Sequence, residues 1–253
     1  MIKFLISFLF VLGSVQAQKF KPGWQNLYKA NTYKSMPYKL MSPVDMKDDK
    51  KYPLILSLHG AGGKGSDNKK QLKSWNAQLA DSQIRKKFPA YVLAPQSKGQ
   101  WNLDTLTLIK DVIKNIPNVD MNRIYILGHS MGGHGTFIYI QADPNYFAAA
   151  APSAGTGLKS TASFIKPEII KDIPMWASHG DKDKVCPYDR IVDLMNKMKA
   201  INGNFKLTSW IGGNHGVSDR FIPGHESGKT ELSSSRCDPE SDFLTWLFKQ
   251  KKN

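Results

Sequence analysis

The stretch IYILGHSMGG (residues 124–133) decides how the rest of the chain is read. Ile124, Tyr125, Ile126 and Leu127 form a continuous apolar run, the pattern of a strand buried on both faces of a parallel sheet. Gly128 follows at once, and from Gly132 the spacing predicts a helix that reaches about Ala142 and stops near Pro144. Between strand and helix stands Gly128-His129-Ser130-Met131-Gly132, a G-x-S-x-G sequence. A serine on so sharp a turn is strained, and bulky residues two positions to either side would collide, which accounts for the glycines. The turn lifts the serine oxygen above the sheet edge. It also aims the free N–H groups of the helix N-terminus at the reacting atoms. Short motifs recur by chance, so it is the strand–turn–helix setting that gives this one its weight.

Working outward, the same alternation repeats. Strands are predicted at 37–41, 54–58, 91–94, 147–151 and 175–177, with a last one at 205–209. Helices are predicted at 71–80, 103–116 and 191–201, with a closing amphipathic helix around 243–247. Repeated β-then-α order means an α/β fold: a mostly parallel central sheet with helices on both faces. Reactive groups in such sheets sit just past the carboxyl ends of the strands. The polar stretch 218–239 reads as a flap over the site.

A serine nucleophile needs a base, and the base needs a carboxylate to orient it. Both lie downstream at strand ends, in the order Ser…Asp…His. His179-Gly180-Asp181-Lys182-Asp183 follows one strand, and Gly212-Gly213-Asn214-His215-Gly216 follows the next. Asp183 sits deeper in its loop than Asp181, which suits a turn-forming Asx position. His215 is presented between glycines, and His225 is its competitor for the base. His59 and His179 end strands in His-Gly pairs and are expected to hold loop backbone. His129 points away from its neighbour on the elbow, and His134 falls on the following helix. Leu58-His59-Gly60-Ala61-Gly62-Gly63 supplies the second half of an oxyanion hole: the N–H of Met131 is one donor and that of Ala61 the other. Gly62 lets this backbone approach a substrate. The same glycines lack the G-K-[ST] ending of a phosphate loop, and neither a His-x-x-x-His nor a Cys-x-x-Cys pattern occurs, so no cofactor and no metal is expected.

Composition bounds the setting. The 253 residues carry 35 Lys+Arg against 21 Asp+Glu, a formal charge of +14, which invites a polyanion-binding reading. No nucleic-acid motif accompanies it. Lys69-Lys70, Lys86-Lys87 and the lysines of 249–252 lie in separate segments and read as a solvated surface, with acidic polysaccharide as the remaining anionic surrounding. Residues 1–17 combine a basic start, a short apolar core and a small-residue exit, the grammar of a secretory signal. That core is far short of the ~20 residues needed to span a bilayer, so no stable membrane insertion is expected. Residues 18–253 then form one catalytic domain of an exported protein, secreted or periplasmic. Export makes a Cys186–Cys237 disulfide chemically available, tying the Asp183 loop to the segment after His215. The alternative is two buried thiols.

The chain resembles secreted α/β-hydrolases of the phospholipase/carboxylesterase type, close to dienelactone-hydrolase-like and feruloyl- or acetylxylan-esterase-like proteins. The matching stretches are YPLILSLHGAGGKGSDN (52–68), FPAYVLAPQ (88–96) with Trp101, DMNRIYILGHSMGGHGTF (120–137), YFAAAAPSAG (146–155), IPMWASHGDKDKVCPYD (173–189), WIGGNHG (210–216) and LTWLFKQKK (244–252). The resemblance implies an α/β-hydrolase fold, with Ser130 as nucleophile, Asp183 as acid and His215 as base. It also places Trp101 in the substrate pocket, or else in the core. It implies hydrolysis of a small or polysaccharide-linked ester without a cofactor. A propeller-less peptidase of prolyl-oligopeptidase type and a non-catalytic binding protein are the alternatives.

Overall fold

The computed structural model describes residues 20–222 and 224–252. The predicted export signal lies outside them. The strands are β1 (Lys29–Tyr33), β2 (Met36–Met41), β3 (Tyr52–Leu58), β4 (Tyr91–Pro95), β5 (Val119–His129), β6 (Ala149–Ser153), β7 (Met175–Gly180), β8 (Phe205–Trp210) and β9 (Gly228–Leu232). They form one sheet in the order β1-β2-β4-β3-β5-β6-β7-β8-β9. The run from β4 to β8 is parallel, while β2 on one side and β9 on the other pair antiparallel to it.

Strand alternation divides the core into two layers. Leu54, Leu56 and Leu58 of β3 point to the face covered by α3 (Leu103–Asn115), α4 (Met131–Ala142) and α6 (Tyr188–Ala200). Ile55 points to the face covered by α1 (Ser74–Leu79) and α7 (Phe243–Lys249). In α3 the apolar residues Leu106, Ile109 and Ile113 recur at helical spacing and are buried, and Asn102 caps the start by accepting the N–H of Thr105. In α7, Trp246 meets Trp176 edge to face at 5.4 Å. Each such buried side chain contributes about 1.5–3 kcal/mol. β3, β4, β6, β7 and β8 are buried along their whole length, and the loops bearing Ser130, Asp183 and His215 leave from the carboxyl ends of β5, β7 and β8.

Three features depart from the pattern read in the sequence. The edge strands β1 (KANTY) and β9 (GKTEL) are exposed along almost their whole length and carry no apolar alternation. Their extended state comes from pairing with a neighbour, and their charges blunt the sheet edges. A second short helix, α2 (Ser82–Lys87), follows α1, capped by Asp81. Finally, the segment after His215 is no flap: Phe221 and Ile222 are buried, with Phe221 stacked on Phe243 at 4.5 Å, and the chain then enters β9.

Candidate active site

Ser130 lies between β5 and α4 with φ +56°, in the left-handed region that a non-glycine residue seldom occupies. The strain is held from several sides. Its N–H donates to the carbonyl of Ser153 at 2.9 Å. A Cβ on Gly128 would stand 2.1 Å from the Gly132 carbonyl oxygen, and one on Gly132 would stand 2.1 Å from that of Leu58. The glycines are therefore required for backbone-to-backbone contact across the elbow.

The loops bearing Asp183 and His215 leave adjacent strands, β7 and β8, and are stitched together by backbone. Lys182 N–H donates to the Gly213 carbonyl at 2.8 Å and Asp181 N–H to that of Trp210 at 3.2 Å. This brings Ser130, His215 and Asp183 into one line. His215 Nε2 is 2.8 Å from Ser130 Oγ, and His215 Nδ1 is 2.8 Å from Asp183 Oδ2. A carboxylate only accepts, so Nδ1 carries the proton and Nε2 is free to accept the serine hydroxyl. The other carboxylate oxygen takes the N–H groups of Val185 at 2.8 Å and Cys186 at 3.0 Å. Burial alone raises the Asp183 pKa. The hydrogen bonds from His179, His215 and the two amides outweigh it and hold the carboxyl well below the usual range. Of the competing residues, Asp181 bonds no histidine among the described residues, and His225 bonds Ser227 Oγ at 2.8 Å on the way into β9.

Met131 is the first residue of α4, and Ala61 opens a single 3₁₀ turn, Ala61–Gly63. Neither N–H has an acceptor within its own helix, so both are free to donate to a group held beside Ser130. A Cβ on Gly60 would lie 3.5 Å from Ser130 Cβ, so this loop lies against the serine. His59 fixes it, as expected of a backbone-holding histidine. Its Nδ1 donates to the Gly60 carbonyl at 2.7 Å and its Nε2 accepts the Ser97 N–H at 3.0 Å. Burial lowers its pKa to about 4, so the ring is neutral.

Trp101 does not line an open pocket. It is 3 % exposed, packs against His59 with the rings tilted and 4.6 Å apart, and donates its indole N–H to the His59 carbonyl at 3.0 Å. A buried indole N–H needs an acceptor, and the His59 carbonyl supplies it from the hidden side of the 59–63 loop. Gly62 is on the open side, where an added Cβ would meet nothing within 4 Å.

Trp101 thus takes the core alternative, and the expected Cys186–Cys237 disulfide does not form. Cys186 and Cys237 are both free and buried. Cys186 lies past the carboxyl end of β7, whereas Cys237 Sγ contacts the carbonyl of Phe205 at the start of β8. A six-residue strand separates the two levels by about 17 Å, and a bridge requires Cα atoms within about 7 Å.

Two histidines touch the line of three in ways the motifs did not reveal. His179 Nε2 donates to the Cys186 carbonyl at 2.9 Å and stands 3.2 Å from Asp183 Oδ2. The His-Gly-x-x-Asp spacing is the available signal for that contact. His129 packs its ring on His215 at 4.9 Å and has Nδ1 3.1 Å from Ser153 Oγ. Burial, then the neighbouring His215, lowers its pKa to about 3.

Sheet order, crossover helices and the serine elbow at a carboxyl strand end together define the α/β-hydrolase class. Within that class the chain belongs to the dienelactone hydrolase family, whose model matches residues 77–231, more than half of the chain. A bifunctional acetylxylan esterase/xylanase from Neocallimastix patriciarum is 30% identical over 153 residues, 58% of this chain and 22% of that protein. A probable feruloyl esterase C from Aspergillus flavus is 26% identical over 175 residues, 66% of this chain and 62% of that protein. The chain thus spans less than two thirds of either relative. The crystal structure of a thermostable esterase superposes with a TM-score of 0.72 at 31% identity, covering 89% of this chain and 64% of that one.

Proposed function

We propose that the protein is a serine carboxylic-ester hydrolase working through an acyl-enzyme. The observation that carries this is the unbroken hydrogen-bonded line from Ser130 Oγ through His215 to Asp183, 2.8 Å at each step. His215 Nε2 takes the Ser130 proton as Oγ attacks the ester carbonyl, while Asp183 holds the ring and stabilises the imidazolium. The N–H groups of Met131 and Ala61 receive the oxyanion, where each donor is worth about 3–4 kcal/mol. His215 returns the proton to the leaving alcohol. It then removes one from the water that cleaves the acyl-enzyme.

An ester rather than a peptide is the substrate class because the relatives at 26–31% identity are esterases. The acetylxylan in the name of one of them extends the proposal to esters borne on polysaccharide. Export directed by residues 1–17, leaving a single catalytic domain, belongs to the same reading.

Labelling with a fluorophosphonate and turnover of p-nitrophenyl acetate test it. Wild type is expected to label and to turn over. Ser130→Ala should lose the label and about 10⁴-fold or more of kcat. A wild type that does neither, or a Ser130→Ala variant of normal activity, overturns the assignment.

A further inference from the structure

At the far end of the sheet from Ser130, the amino ends of β3, β4 and β5 frame a groove of about 640 Å³. Lys47, Lys50, Lys51, Lys86, Lys87 and Arg123 line it, and the sole carboxylate among its lining residues is Asp45. Three distant segments deliver these cations: the turn before β3, the last turn of α2 and the first half of β5. The parallel register of β3, with Tyr52 opposite Val119 of β5 and Leu54 opposite Tyr91 of β4, brings them together. Arg123 is engaged by Asp120 at 2.7 Å. The five lysines are exposed, and among the described residues none is ion-paired. Asp48 and Asp49, on the same turn as three of them, are not among the groove's lining residues. Phe88 and Phe248 lie side by side at 5.0 Å in the groove wall, both half-buried.

Unpaired like charges gathered in a concavity repel one another, and an anionic partner relieves that repulsion. Lysines are flexible point charges rather than rigid forks for planar phosphate recognition, so they suit carboxylates of irregular spacing. Phe248 offers an apolar wall for the C–H faces of sugar rings, and Phe88 does so once Lys87, whose Nζ lies 5.0 Å from the centre of its ring, turns to an anionic partner. A concave groove admits a chain, whereas a flat anionic membrane surface would meet mainly its rims.

We propose that this groove is an anchoring site for a carboxylate-bearing polysaccharide. The choice of a polysaccharide among polyanions rests on the esterase function proposed above. Along β5, an eleven-residue strand, the groove is separated from Ser130 by more than about 20 Å. A polymer held there therefore tethers the enzyme to its surroundings without touching the reacting atoms.

Binding of polygalacturonate is measured on the Ser130→Ala protein, so that catalysis plays no part. Four charge reversals in the groove (Lys47→Glu, Lys51→Glu, Lys86→Glu, Lys87→Glu) are compared with four exposed lysines elsewhere (Lys29→Glu, Lys114→Glu, Lys159→Glu, Lys229→Glu). The groove variant should lose at least tenfold in affinity and the control should stay within threefold. Binding should weaken with added salt. In the wild-type background both sets should keep p-nitrophenyl acetate turnover. If the groove reversals disturb folding by circular dichroism, the four Lys→Gln changes replace them, with the same loss expected. An unchanged affinity, or an equal loss in both sets, overturns the proposal. So does tighter binding of duplex DNA or of phosphatidylglycerol vesicles through the same lysines. If wild type fails to cleave the ester but the groove binding survives as described, the catalytic reading alone is lost.

Discussion

Asp183 Oδ2 faces two histidines, His215 at 2.8 Å and His179 at 3.2 Å. Only His215 also reaches the serine. His179 is fully buried, and its Nε2 proton lies between the Asp183 carboxylate and the Cys186 carbonyl. On the proposed mechanism it is a positioning residue: it keeps Asp183 ionised and the turn 181–186 closed. His179→Ala removes a donor from Asp183, so the Asp183 pKa rises and the carboxylate is less firmly aimed. The expected result is a loss of about 10²-fold in kcat with little change in KM, and an altered acid limb in the pH–rate profile. His179→Gln, whose amide can donate in place of Nε2, should recover most of the activity. A His179→Ala enzyme with normal kcat and an unchanged pH profile would contradict this role.

At the level of elements, the site depends on two loops from neighbouring strands lying backbone against backbone. Gly180 ends β7, and a Cβ there would be 2.3 Å from the Asn214 carbonyl oxygen and 2.4 Å from that of Gly213. Neither atom belongs to a flexible side chain, so the loop bearing His215 would have to move. Gly180→Ala is expected to destabilise by about 1–3 kcal/mol and to lower kcat sharply, because His215 would be displaced from both its partners. Gly62→Ala is the contrast. It adds its methyl to open space, and stability should stay within about 0.5 kcal/mol of wild type. Urea denaturation of the two variants checks this, and equal costs would refute the close-approach argument.

Across the whole molecule, buried neutral histidines make stability sensitive to acid. His59 and His129 are held at about 4 and about 3, chiefly by burial. Unfolded, each would titrate near 6.5. Below that value the unfolded chain binds more protons than the folded one, so stability falls with falling pH. The loss runs from about 6.5 down to 4 for His59 and to 3 for His129. Asp183, depressed in the fold, adds in the same direction once pH falls below its unfolded value, near 3.9. Tm should therefore drop between pH 7 and pH 4, before most carboxylates titrate. His129→Gln should flatten part of that drop. A Tm constant over this range would rule out the assignment of neutral rings.

The serine elbow was legible because its constraints are local. A strained turn needs glycines at set offsets, and a buried strand and an amphipathic helix announce themselves by period. His215 and Asp183 were legible as well, because parallel strands deliver loop residues to one edge. β1 and β9 were hidden, since exposed edge strands are defined by pairing and not by apolar pattern. The same holds for Trp101, which turned inward to bond a loop carbonyl, and for the cysteines, which lie at opposite ends of the sheet. The lysines looked scattered in order along the chain, yet strand register gathers five of them with Arg123 into one groove. What the sequence determined by itself was the dihedral and periodic character of each segment, and with it the fold class and the candidate triad. Which distant residues meet was decided only in the tertiary structure, because that depends on register and packing between segments, and no local pattern encodes those distances.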